Sequence, residues 1–301
     1  MPSVVAPGIV EIDTLLGGWE KVTAGYLVQG PAPVLVETGS QSSVPAMLAG
    51  LRALGVAADD LASVVVTHIH LDHAGGVGDV ARAFPGTTVH VHEKGARHLE
   101  DPSRLLASAA RVYGPLLDQL YGRLDPTPPE RISVLHDGDR VDIGGGRVLT
   151  AIDSPGHAKH HLALLDSDTG TLFAGDAVGV RLPDTGVLWP ATPVPDFDLD
   201  EALASLARFR ELEPSAVALA HYGVVPGPSE LLDEASATLR RWAEVATGAW
   251  QAGLDVAVAL DAAFGADLDT LETSARRRLE ALNGLHSNAA GLRRWLESRE
   301  Q

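Results

Sequence analysis

Residues 67–76 read Thr-His-Ile-His-Leu-Asp-His-Ala-Gly-Gly and follow directly on the apolar run Val64-Val65-Val66. A strand that ends there delivers His68 and His70 on one side, because alternate residues of a strand share a face. A turn or helix start then brings Asp72 and His73 round to a neighbouring point. Imidazole nitrogens and carboxylate oxygens suit zinc, iron or manganese. Four such groups this close can hardly all serve one tetrahedral ion, so the spacing points to two adjacent metals.

The rest of the chain offers partners in similar settings. His157 follows the turn Ser154-Pro155-Gly156 after an apolar run at 148–152. Asp176 follows Leu172-Phe173-Ala174-Gly175, and His221 follows the run at 216–220. Each is unremarkable alone. Together they are groups collected from the ends of several strands, held by rigid elements and facing one crevice.

The framework expected around them is a layered α/β domain. Strand candidates lie at 26–29, 34–37, 64–67, 88–91, 148–152, 162–165, 171–174 and 216–220, short apolar runs broken by Gly and Pro. Helical patterns lie between some of them, at 43–54, 77–84, 103–117 and 201–211, with Ser43 and Asp200 as N-cap candidates. Gly144-Gly145-Gly146 suggests a hairpin turn, and the Pro-rich stretch 125–130 a loop. After the breaker-rich joint 222–228 the pattern changes to helices at 229–251, about 268–282 and 288–298. The expected division is therefore 1–225 for the layered domain and 226–301 for a C-terminal helical region.

Composition narrows the function. The 301-residue chain has no cysteine, which removes disulfides, thiolate zinc sites, iron–sulfur clusters and a cysteine nucleophile together. With 23 Lys+Arg against 40 Asp+Glu the net charge is −17, which weighs against nucleic acid as a partner. No run approaches the ~18 apolar residues of a membrane helix, and the first residues lack a basic, apolar leader pattern. No membrane partner and a cytoplasmic location are expected. Apolar residues of the helical tail could serve a homodimer interface or a substrate pocket equally well.

The pattern His68-x-His70-x-Asp72-His73, then His157, Asp176 and His221 in that order, resembles the metallo-β-lactamase-fold hydrolase superfamily over roughly residues 5–225. The resemblance implies an αββα sandwich with the metals at the edge between the two sheets. It implies that His68, His70 and His157 bind one ion, that Asp72, His73 and His221 bind the second, and that Asp176 bridges both. Two divalent ions follow, zinc first, with iron or manganese as alternatives. Glu37-Thr38-Gly39 falls where the family usually has Asp-Thr-Gly. An Asp at 176 looks like the thioesterase and lactonase branches. The segment Ser154-Pro-Gly-His157-Ala-Lys-His160-His161 is similar to that of hydroxyacylglutathione hydrolases (glyoxalase II), departing at His160 where they have Gly. His161 matches their final His.

That chemistry implies a hydrolase cleaving a small acyl substrate, a thioester, ester or lactone, by a hydroxide bridging the ions, with Asp72 and Asp176 anchoring it. Glu37, Thr67, Ser154 and His161 are candidates for orienting the imidazoles. His160, Trp189 and Tyr222 are candidates for the substrate pocket, Trp189 within a loop at 178–197 that could wall it. His90 and His92 are expected on a surface strand face and His136 on an exposed turn. Rival readings are a mononuclear iron dioxygenase acting on a persulfide and a metal-stabilised protein that binds without catalysis.

Overall fold

The computed structural model describes residues 2–300. Two sheets lie face to face. The first has seven strands in chain order: β1 (Ser3–Ala6), β2 (Ile9–Asp13), β3 (Ala24–Val28), β4 (Val34–Val36), β5 (Ser63–Val65), β6 (Thr88–His92) and β7 (Ile132–Leu135). The second has six: β8 (Arg140–Gly144), β9 (Arg147–Asp153), β10 (Leu162–Asp166), β11 (Thr171–Phe173), β12 (Ala216–Ala218) and β13 (Val224–Pro226). Strands β4 to β7 run parallel, and the crossovers between them carry helices α1 (Val44–Ala53), α2 (Leu71–Ala74), α3 (Val77–Ala83), α4 (Glu93–Glu100) and α5 (Ser103–Tyr113). Helix α6 (Leu199–Glu211) makes the parallel crossover from β11 to β12.

The period-2 alternation of the strands explains the layering. Tyr26, Val28, Val34, Val36, Leu149, Ala151, Leu162, Leu164 and Phe173 point inward and form one apolar cluster between the sheets. Their neighbours Leu27, Leu35, Ile152, Ala163 and Leu172 point outward into a second cluster under the helices. The result is a mixed α/β sandwich with helices on both outer faces, followed by α7 (Ser229–Gln251), α8 (Val256–Asp269), α9 (Thr273–Asn283) and α10 (Leu285–Arg299). Helix α7 packs on α6, and α8 and α10 pack on α7. No helix among the described residues is long and apolar enough to cross a membrane.

All eight strand candidates form strands, and the hairpin at Gly144–Gly146 joins β8 to β9. Differences lie where pairing overrides local pattern. Strands β1 and β2, too polar or too short to stand out, add to the edge of the first sheet. Val224–Pro226, read as a joint, pairs antiparallel with β12. Helix α8 was not foreseen; Asp255 starts it by accepting from the Ala257 and Val258 amides. The cap of α6 is Asp198, which accepts from the Glu201 amide, and Asp200 instead lies in the first turn. Ser43 precedes α1 without a side-chain capping bond.

Candidate metal centre

The centre forms where strands of both sheets end side by side. Chain leaving β5 passes through Thr67 to His68 and His70, and the short helix α2 then turns Asp72 and His73 back toward them. His157 sits in the turn after β9. Asp176 follows β11 through Gly175, which adopts a φ of +50°. A Cβ at Gly175 would lie 2.4 Å from His161 Nε2, so only glycine lets the strand end this close. His221 occupies the turn between β12 and β13.

The seven side chains gather into two groups, His68, His70, His157 with Asp176, and Asp72, His73, His221. Within each, one donor atom per residue lies within 4.8 Å of the others. His70 Nδ1 lies 3.0 Å from both His68 Nε2 and His157 Nε2. Asp176 stands between the groups. Its Oδ2 is 3.5 Å from His157 Nε2 and 3.9 Å from His68 Nε2. Its Oδ1 is 3.1 Å from His221 Nε2 and 3.4 Å from His73 Nε2. Asp72 Oδ2 closes the second group, 3.4 Å from His73 Nε2 and 3.8 Å from His221 Nε2.

The far side of each ring decides which nitrogen faces inward. His157 Nδ1 is 3.0 Å from the Ala191 carbonyl and His221 Nδ1 is 3.3 Å from the Val22 carbonyl, so both Nδ1 atoms donate and both Nε2 atoms present lone pairs. His68 Nδ1 meets Thr67 Oγ1 at 3.0 Å. His73 Nδ1 faces Glu37 Oε2 at 3.7 Å. Lone pairs aimed at one another repel, and Asp176 Oδ1 and His73 Nε2 are buried with no hydrogen-bond partner. Donors of a tetrahedral zinc ion, ~2.0–2.1 Å from the metal, sit roughly 3.3 Å apart. The spacing and the orphaned inward atoms therefore fit divalent cations.

The charges tell the same story. Burial pushes His68 well below the usual imidazole range and His157 below it, and burial with the neighbouring His157 takes His70 to about 3. The first group is thus neutral imidazoles against one carboxylate. In the second, burial opposes ionisation, but the neighbouring imidazoles outweigh it and hold Asp72 at about 2. Asp176 is likewise held well below the carboxylate range. Burial would lower His73 and His221, yet these carboxylates raise both. The pocket is organised around positive charge.

The residues around the seven fall into distinct places. Glu37, at the end of β4 with a φ of +66°, accepts the Thr67 amide at 3.1 Å. Burial raises its carboxyl above the usual range. His161 Nε2 accepts the Asp176 amide at 3.2 Å, which leaves Nδ1 to donate to Ser154 Oγ at 2.7 Å. His160 stacks behind His68, ring centroids 6.2 Å apart, and is buried. Trp189 lies in the core against Trp242 of α7 and does not face the cluster. Tyr222 turns to the Glu11 and Asp13 side of β2, away from the seven. His136 is exposed, as expected. His92 is not on an open face; it is buried and accepts the Lys94 amide to start α4.

Two phenols went unnoticed in the sequence. Tyr113 and Tyr121 pack together, ring centroids 4.7 Å apart, and after burial the Asp72 charge is among the causes that raise both. They lie on the α5 side of the centre, and nothing in their spacing marks them. A second unforeseen feature is a buried pair that holds the His221 turn. Tyr26 OH donates to the Leu219 carbonyl at 2.6 Å, and Glu11 Oε2 accepts the Gly223 amide at 2.9 Å.

A sequence profile described as the metallo-beta-lactamase superfamily matches residues 17–221. A metallo-beta-lactamase fold-containing protein of Sulfurisphaera tokodaii is 33% identical over 171 residues, 56% of this chain and 62% of that protein. A hydroxyacylglutathione hydrolase of Rhodopseudomonas palustris is 28% identical over 156 residues, 51% of this chain and 47% of its own. An acyl-coenzyme A thioesterase of Homo sapiens is 31% identical over 166 residues, 51% of this chain and 57% of its own. The matched segments thus span less than two thirds of each of these relatives. A crystal structure of an archaeal metallo-beta-lactamase superfamily protein from Sulfolobus tokodaii shares the fold, with a TM-score of 0.71 and 24% identity over 95% of this chain and 98% of that one.

Proposed function

The chain belongs to the metallo-β-lactamase superfamily, and from that premise we propose that it is a hydrolase holding two divalent ions, zinc first, and cleaving a small acyl substrate: a thioester, ester or lactone. The observation that carries the reading is Asp176, whose two oxygens turn to two different groups of imidazoles. His68, His70, His157 and Asp176 would hold one ion, and Asp72, His73, His221 and Asp176 the other. Such ions supply Lewis-acid polarisation of a carbonyl and a water acidic enough to attack it at neutral pH.

The chain's own residues do the placing. Thr67 and the Val22 and Ala191 carbonyls keep three rings turned with a lone pair inward, and Glu37 faces the fourth, His73, at 3.7 Å. Ser154, through His161, fixes the strand end that carries Asp176. His70 and Asp72 are the two of the seven that are only partly buried, so substrate approaches from their side. Relatives named as a hydroxyacylglutathione hydrolase and an acyl-coenzyme A thioesterase support an acyl thioester as the first substrate to try.

The test is elemental analysis of purified protein followed by a panel of thioesters, lactones and simple esters. Two divalent ions per chain and turnover of at least one class are expected. A zinc-, iron- or manganese-supplied protein that retains no ion, or that turns over none of the panel, overturns the proposal. One iron per chain with oxygen uptake on a thiol persulfide would replace it by the dioxygenase reading.

A further inference from the structure

The Ala191 carbonyl that receives His157 Nδ1 belongs to a loop, and a loop peptide left alone can rotate. Here it is clamped on both sides by the C-terminal helices. Asn283, at the end of α9, donates from Nδ2 to the Pro190 carbonyl at 2.9 Å. Asn288, on α10, accepts the Thr192 amide on Oδ1 at 2.8 Å. Thr192 Oγ1 donates to the Asn288 carbonyl at 3.0 Å and also lies 2.8 Å from its Oδ1. Asn288 Nδ2 in turn donates to Asn283 Oδ1 at 2.9 Å. All three side chains are buried. Helix α10 rides so close to the loop that a Cβ on Gly291 would lie 1.7 Å from the Thr192 carbonyl oxygen.

We infer that Asn288 and Thr192 are positioning residues for the metal centre: through the peptide between Pro190 and Thr192 the C-terminal helices set the ring orientation and tautomer of His157. The inference rests on the proposed metal site. Its chemistry is that of an outer hydrogen bond to a ligating imidazole, whose loss typically weakens metal binding about 10–100-fold. One half of the centre alone is affected, because the chain of bonds ends on His157, and His221 in the other half takes its outer partner from the Val22 carbonyl.

Thr192→Val keeps the shape of the side chain and removes its hydroxyl; Thr192→Ser keeps the hydroxyl. Zinc affinities of both sites are measured by chelator competition, and the Nδ1–H proton of His157 is followed by nitrogen-15 NMR of the zinc-loaded protein. Thr192→Val is expected to weaken one of two ions about tenfold or more, to shift or broaden the His157 proton and to leave the other ion unchanged; Thr192→Ser restores both readouts. Should Thr192→Val fail to fold, Asn283→Ala, which frees the Pro190 carbonyl and removes the Oδ1 that receives Asn288 Nδ2, is read the same way. A folded variant with two wild-type affinities and an unmoved His157 proton overturns the inference and leaves the proposed function standing. Wild-type protein that binds no divalent ion overturns both.

Discussion

Asp176→Asn separates a shared carboxylate from an ordinary one. The amide has nearly the same shape, and the backbone bond from residue 176 to His161 Nε2 remains, so the fold is expected to persist. An amide, however, has one acceptor oxygen and one NH2. Whichever group receives the oxygen, the other meets two N–H bonds at the position now 3.1–3.5 Å from its nearest Nε2. That group loses a ligand; both lose the shared negative charge, but the other keeps a neutral oxygen donor. Unit charges at ~4 Å and an effective dielectric of ~20 attract by about 4 kcal/mol, or roughly three decades of affinity at 1.4 kcal/mol per decade. The double charge of the ion makes this a lower figure. After dialysis against a mild chelator, elemental analysis should find one ion per chain in the variant against two in the wild type. Thioester turnover should fall in parallel, because a chain that keeps one ion has lost half of the proposed centre. Two retained ions with wild-type turnover would refute the assignment of Asp176 as the shared ligand.

Arg147 donates to both oxygens of the fully buried Asp166 side chain at 2.7 Å, so Arg147→Ala should cost about 3–5 kcal/mol in denaturant unfolding by leaving a buried carboxylate without counter-charge, with Thr169 as its remaining donor. Burial would raise Asp166, but Arg147 holds it below its usual range, so the pair's stability is present above the ordinary aspartate value and is lost as pH falls through the lower folded one. Urea midpoints of the wild type should therefore fall with acid more steeply than those of the variant. Burial raises Glu11, so its contribution is greatest at low pH and is lost as pH rises through its folded value; Glu11→Gln should be at least as stable as wild type at pH 8 and lose that advantage toward pH 4. Glu11→Ala instead strands the Gly223 amide, with about 1–3 kcal/mol lost and a weakened ion beside His221, read by thermal unfolding and metal titration. Zinc at about 100 times its dissociation constant should stabilise the chelated protein by about 2.7 kcal/mol per site in equilibrium unfolding, and unchanged unfolding would remove the metal centre.

The seven converging side chains were legible because their chemistry is rare and their spacing local. His68, His70, Asp72 and His73 stand within six positions, and each of the other three follows an apolar run. The supports were much less so. Two rings are oriented by the Val22 and Ala191 carbonyls, and a carbonyl has no residue signature. Asn283, Asn288 and Thr192 look like ordinary polar residues until the loop and α10 meet. The place of its loop after Asp176 suggests Trp189 as a pocket wall; packing on Trp242 buries it instead. β1 and β2 join the sheet through the pairing of β2 with β3, and His92 is buried at the end of β6, where its ring accepts the Lys94 amide.

The centre straddles a seam. His68, His70, Asp72 and His73 come from the segment after β5 in the first sheet, while His157, Asp176 and His221 come from turns of the second. Filled, it would act as a rivet between two layers that otherwise meet through apolar side chains and a few hydrogen bonds, such as those from Tyr26 to the Leu219 carbonyl and from the Gly223 amide to Glu11. Separating them would then require both ions to leave first, so the slow step of unfolding becomes metal release. The loaded protein should resist proteolysis for a time set by that release rate, whatever its equilibrium stability.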